Sequence, residues 1–200
     1  VVHRDFAENP LLLSMMFLTF MRNLSIPDHL SEFYQKAFDA LYSAHDNQNK
    51  GVFKRDFRCK TLDERSFTQL FSWFCFQSYF QESYEFTQER ILSYLEKGII
   101  KLGFSGIEAK DYLADLQNIV CVIARDGNKY RFSHRSFQAY FAALYTSNIS
   151  DENQKAFFSQ LLKSEFWNFK FDFYQLMYQL APKRFAANAL EDCLRKLQYE

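Results

Sequence analysis

Tyr130-Arg-Phe-Ser-His134-Arg-Ser-Phe-Gln138-Ala-Tyr-Phe141 is the stretch on which the fold turns. Tyr130 to Ser133 reads as a short strand, with Tyr130 and Phe132 alternating against Lys129 and Arg131. A helix follows, with Phe137, Tyr140, Phe141, Leu144 and Tyr145 at core-facing spacing. His134 therefore stands where the strand ends and the helix begins. Such a place offers unpaired backbone N–H groups and the positive end of a helix dipole. With an imidazole added, it forms a receptor for a phosphate. A histidine at such a junction can equally be a cap or a packed residue, so position alone leaves both roles open.

Upstream, Ile119 to Ala124 is a β-branched run, and Asp126-Gly127 is a hairpin turn signal that returns the chain to Lys129–Ser133. Before it, Glu108 to Gln117 is helical, with Ala109, Tyr112, Leu113 and Leu116 inward. Thr87-Gln-Glu-Arg90 opens another helix, carrying Ile91, Leu92 and Leu95 toward Gly98. A longer one runs from about Leu62 to Tyr79, striped by Phe67, Leu70, Phe71, Phe74 and Cys75 and widened by Trp73 and Phe76. Three helices, a two-stranded wing and a helix are the order of a winged helix.

Further upstream, Leu30, Phe33, Tyr34, Ala37, Phe38, Leu41 and Tyr42 follow the i, i+3, i+4, i+7 rule, with polar residues opposite. Asn9-Pro10 announces the first helix, since Asn is a good N-cap and Pro is favoured at the first helical position. Leu11 to Met21 is apolar on every side, which predicts burial all round. Beyond Asn148 the chain reads as helical throughout, with Pro182 opening a last helix through Leu197. The expected fold is mainly α: a small helical domain (4–50), a winged-helix domain with a β-hairpin wing (51–148), and a C-terminal helical region (149–200).

The 200 residues suffice for one substantial core, and aromatics make up 19% of them, so global disorder is excluded. The formal net charge is zero, which removes the basic excess expected of a protein built to grip nucleic acid. Cys59, Cys75, Cys121 and Cys193 are far apart and make no metal-ligand spacing with the histidines. Buried or partly buried thiols in a reducing cytoplasm are expected. The apolar run Leu11–Met21 is too short to cross a bilayer, so no membrane partner is expected. No G-x-x-x-x-G-K-[ST] and no hydrophobic strand ending in paired acids is present, so nothing here could hydrolyse a nucleoside triphosphate unaided. Nor is there a G-x-S-x-G or an H-E-x-x-H. Catalytic residues are therefore not expected.

The string Phe132, His134, Phe137, Gln138, Tyr140, Phe141, Ala142, Ala143 resembles the winged-helix signature F-x-H-x-x-F-Q-E-F/Y-F-A-A of NACHT-type signal-transduction NTPases. Ala139 departs from the family's usual glutamate. Asn9-Pro10-Leu-Leu-Leu13 resembles the segment that follows the ATPase core in that family. Leu41–Asp46 with Lys50-Gly51 and Lys54–Phe57 resembles the connector between its helical and winged-helix domains. These strings occur in the family's order, from about Asn9 to Tyr145. The resemblance implies an ADP/ATP switch, with Mg²⁺ held mainly by an ATPase core upstream in the same polypeptide. Pro10 would pack on the base and His134 would reach the β-phosphate, keeping the closed ADP state. Exchange to ATP would allow homo-oligomerisation, in bacterial defence or stress signalling.

Two other functions compete. A DNA-reading winged helix would place Glu108–Gln117 in the major groove. That helix would show Glu108, Asp111 and Asp115 against Lys110 alone, and carboxylates are repelled by phosphates. A purely structural helical adaptor needs the same core but gives no reason for a histidine at the junction.

Overall fold

The chain is mainly helical, with one small three-stranded antiparallel sheet. The computed structural model describes residues 10–23, 27–47, 56–164, 170–190 and 194. Helices α1 (Pro10–Asn23) and α2 (Leu30–Asn47) come first. Then follow α3 (Glu64–Phe80), β1 (Glu85–Thr87), α4 (Gln88–Leu102), α5 (Ala109–Asn118), β2 (Ile123–Asp126) and β3 (Lys129–Phe132). The chain continues through α6 (Arg135–Asn148), α7 (Asp151–Leu161), α8 (Phe171–Leu180) and α9 (Pro182–Phe185), which widens into a π-type turn over Ala186–Leu190.

Local chemistry sets the boundaries. Asp63 caps α3 by accepting the Ser66 N–H at 2.8 Å, and Thr87 caps α4 by accepting that of Arg90 at 3.3 Å. Gly103, at φ +72°, closes α4 in the left-handed conformation that costs other residues a Cβ clash. Ser150 caps α7, and Pro182 stands at the start of α9, where its missing N–H is no loss.

The sequence predicts a two-stranded wing; the structure adds a third strand. β3 lies in the middle, paired with β2 through Ile123↔Phe132 and Arg125↔Tyr130, and with β1 through Glu85↔Arg131 and Phe86↔Tyr130. β1 is three residues long, with only Phe86 buried, too short for its alternation to stand out from the cap of α4. The strand expected over Ile119–Ala124 begins only at Ile123. Ile119 to Val122 instead folds back on the end of α5, the Val120 N–H donating to the Asp115 carbonyl and that of Val122 to the Leu116 carbonyl. Cys121 takes φ +59° within that reversal and is exposed, unlike buried Cys59 and Cys75. Its expected burial is thereby corrected; Cys193 lies outside the described residues.

The core centres on α3 and α6. Phe67, Leu70, Phe71, Phe74 and Cys75 of α3 are fully buried, and so are Phe137, Tyr140 and Phe141 of α6. The Phe141 ring meets those of Phe38 and Phe71 edge-on, each at 4.7 Å between centroids. Phe132 carries the contact into the sheet by stacking on Phe74 at 5.4 Å. Gly98 of α4 lies so close to α3 that a Cβ would meet Leu70 and Trp73, each at 2.7 Å. One apolar cluster runs from Leu12 in α1 to Ala189 beyond α9.

Two expectations fail here. α1 is not buried all round: Leu12, Met15 and Thr19 face the interior, while Leu13, Phe17, Phe20 and Met21 are exposed. Its main packing partner is α2, so one face has cover and the other has none among the described residues. Asp115 is not on the exposed face of α5. It is 1% exposed, and its carboxylate accepts the backbone N–H groups of Arg58 and Cys59 at 2.9 Å each. Those two donors repay the cost of burying the carboxylate and pin residues 58–59 to α5.

Candidate functional site at the start of helix α6

β3 ends at Phe132, Ser133 turns the chain with its hydroxyl on the Cys121 carbonyl at 2.7 Å, and His134 is the N-cap of α6. Its backbone is extended, at φ −146° and ψ 132°, as a cap requires. The ring does the capping: Nδ1 accepts the Ser136 N–H at 3.2 Å and lies 2.5 Å from the Ser136 Oγ. Because Nδ1 accepts a backbone donor, the proton of the neutral ring resides on Nε2. Nε2–H has no hydrogen-bond partner among the described residues, and the residue is half-buried. Burial, and then the neighbouring Arg135 charge, hold its pKa below the ordinary value of 6.5.

The first turn of α6 has fewer vacant donors than the sequence suggests. The Ser136 N–H is taken by the imidazole, and the Phe137 N–H by the His134 carbonyl at 3.1 Å. Any anion here would meet the Nε2–H donor and the exposed Arg135 guanidinium, rather than a bare helix end. Arg135 lies over the Tyr84 ring, 5.3 Å from its centroid.

Three further residues brace this corner. Gln138 is fully buried; its amide NH₂ donates to the Ser78 Oγ at 2.9 Å and to the Ser83 carbonyl at 3.0 Å, tying α6 to the turn after α3. Lys170 is 4% exposed, 3.0 Å from the Glu82 carboxylate and 4.6 Å above the Tyr79 ring, and the Tyr79 hydroxyl donates to Asp172 at 2.6 Å. Tyr34 of α2 packs edge-on against Phe137 at 5.7 Å. Sequence reasoning assigned Tyr34 to the core stripe of α2 alone.

Of the two residues singled out in sequence, His134 is placed as expected at the strand-to-helix junction. Pro10 is the first residue of α1, but its side chain and its capping neighbour Asn9 lie outside the described residues. A groove of about 680 Å³ opens beside the C-terminal half of α6 and not at His134. Gln35, Asp39, Arg65, Thr68, Tyr145 and Asn148 are among the residues that line it. Its charges are mixed, and it brings no chemistry to the histidine. No group of three or more His, Cys, Asp or Glu side chains able to hold a metal occurs among the described residues. No helix among them is long and apolar enough to cross a membrane. No family model, curated protein or solved structure matches the chain.

Proposed function

We propose that this chain is the regulatory part of a NACHT-like signal-transduction NTPase, with a helical unit and a winged helix that read the nucleotide held by an ATPase core upstream. The observation that carries it is the His134 ring, capped through Nδ1 so that Nε2–H has no hydrogen-bond partner among the described residues. A neutral imidazole with a vacant N–H donor is suited to a phosphate oxygen, and Arg135 beside it adds positive charge. The winged-helix part of the reading draws support from the order α3-β1-α4-α5-β2-β3 and the strand order β1-β3-β2.

In this reading His134 contacts the β-phosphate of ADP, Pro10 packs on the base, and Mg²⁺ is held mainly by the core. Binding ADP more tightly in the closed arrangement favours that arrangement only by the difference in affinity. Exchange to ATP then frees the winged helix for homo-oligomerisation in cytoplasmic defence or stress signalling. A duplex-reading role is less well supported. Lys129 and Arg131 of the wing pair with Glu85 and Asp126 at 2.7 and 3.0 Å, and Lys110 of α5 pairs with Glu108 at 2.8 Å. Of the wing's three cations that leaves Arg125, which donates to the Gly127 carbonyl at 2.9 Å, for a phosphate backbone.

The test is ADP affinity in the intact polypeptide. His134→Ala should weaken ADP binding about tenfold, the scale of one charge-assisted hydrogen bond, and raise basal signalling. Unchanged affinity would remove the assignment. A salt-dependent shift of random duplex by the chain would favour the DNA-reading role instead.

A further inference from the structure

A second hollow, of about 220 Å³, lies between α3 and α4, apart from the groove beside α6. Trp73 and Gln77 of α3 line it, with Gln81 just past the helix end. From α4 come Arg90, Ser93, Tyr94 and Lys97. Spacings of three and four residues put each set on one helix face. Gly98 lets the two helices meet, because the Cε3 and Cζ3 edge of the Trp73 indole lies where a Cβ would stand. The indole N–H is on the other edge of that ring. It has no hydrogen-bond partner among the described residues, although Trp73 is only 6% exposed. A buried donor left unpaired is costly, so a partner that reaches it is favoured.

The rest of the lining also offers donors. The Tyr94 hydroxyl donates to Gln81 Oε1 at 2.6 Å, which leaves the Gln81 NH₂ free to donate elsewhere. Arg90 gives one N–H to the Ser83 Oγ at 2.7 Å and keeps its others. Lys97 makes no ion pair among the described residues. No carboxylate lines the hollow, in a chain whose formal net charge is zero. We propose that this hollow binds a phosphate group, as inorganic phosphate or as the end of a small monoester. Arg90 and Lys97 supply the charge, and the Trp73 N–H and the Gln81 amide supply neutral hydrogen bonds. The volume is below the roughly 300 Å³ at which pockets begin to enclose a drug-sized ligand, so it takes a group and not a whole nucleotide. A phosphate monoester near pH 7 carries a charge of about −1.5 to −2 and three strong acceptor oxygens. A carboxylate has one charge and two oxygens, and would leave a cation and several donors unmatched. The site needs no assumption about His134 or the nucleotide reading.

The test is the Trp73 indole N–H signal in ¹⁵N–¹H spectra of the 200-residue chain, titrated with inorganic phosphate, methyl phosphate and acetate at constant ionic strength. Two tryptophans are present, so Trp73→Phe assigns the signal, and Trp167→Phe assigns it by exclusion should Trp73→Phe fail to fold. Phosphate should move the signal saturably, with acetate at least about tenfold weaker. Lys97→Gln, at an exposed side chain with no ion pair to lose, should weaken phosphate about tenfold, and Lys97→Glu should abolish binding. Methyl phosphate binding as well as inorganic phosphate would show that a monoester end enters; binding of inorganic phosphate alone would assign the site to the free ion. A signal unmoved by either phosphate, a shift matched by acetate, or Lys97→Gln binding like wild type overturns the site. None of these outcomes bears on ADP affinity in His134→Ala, so the two readings stand or fall separately.

Discussion

Helices α1 and α3 are both rich in large apolar residues, α1 read from sequence as apolar on every side and α3 as a widened stripe, yet their fates differ. Phe67, Leu70, Phe71, Phe74 and Cys75 of α3 are all 0% exposed. In α1, Phe17 is 62% exposed and Met21 60%. The difference is one of neighbours. α3 is enclosed by α6, α4, α2 and the sheet, whereas α1 packs chiefly on α2. Apolar composition sets how much area a helix can bury; the number of elements that surround it sets how much it does bury.

The largest test of that contrast is in the core shared by α2, α3 and α6. Phe38→Ala removes a ring 4.7 Å from Phe141 and 6.0 Å from Phe71, and should cost about 3–5 kcal/mol by denaturant unfolding. A loss under ~1 kcal/mol would mean the site collapses freely and the close packing is not what stabilises it. Next comes Gly98→Ala. On an open helix surface that change stabilises by ~0.5–1 kcal/mol, but here the new methyl enters the space of Leu70 and Trp73, so a loss of roughly 1–3 kcal/mol is expected. A gain in stability would show that α3 and α4 can part without penalty.

His134 lies between the two extremes, and its effect should be smaller. Its folded pKa is below 6.5, so the unfolded chain binds more protons in the window just under that value. Stability should therefore fall as pH drops through about 6.5 and level off below the folded pKa. In His134→Gln that slope should vanish from thermal unfolding curves taken across the window, while the carboxylates Glu85 and Asp151, held below their ordinary values by Lys129 and by Arg184, act only at lower pH. The smallest change is expected at the exposed face of α1: Phe17→Ser should alter stability by less than about 0.5 kcal/mol. A cost comparable to Phe38→Ala would show that this face is covered in solution.

Long periodic elements were the most legible. The stripe from Leu30 to Tyr42 places Phe33, Tyr34, Ala37 and Phe38 in the core, and Phe137, Tyr140 and Phe141 of α6 are buried as their spacing requires, while Leu144 and Tyr145 farther along it are only partly buried. The alternation of Lys129–Phe132 also holds, with Tyr130 and Phe132 inward. Short or competing signals were not legible. Glu85–Thr87 carries one buried residue, and its pairing with β3 is a contact across more than forty residues that no local pattern encodes. Asp115 sits on a helix like any surface acid, and only the arrival of the Arg58 and Cys59 amides makes burying it favourable. Lys170 is similar: its burial depends on Glu82 and Tyr79, which lie far from it in sequence.

The candidate site divides along the same line. Its location, at the seam between a strand and a helix, follows from two periodicities that meet at His134. Its tautomer and its reach do not. Those depend on the Ser136 amide and hydroxyl, which the turn into α6 brings against Nδ1. Side-chain periodicity is a local property of the backbone and is written into the chain. The direction in which a ring nitrogen points is set by the donors that meet it, and only the folded corner between β3 and α6 fixes which those are.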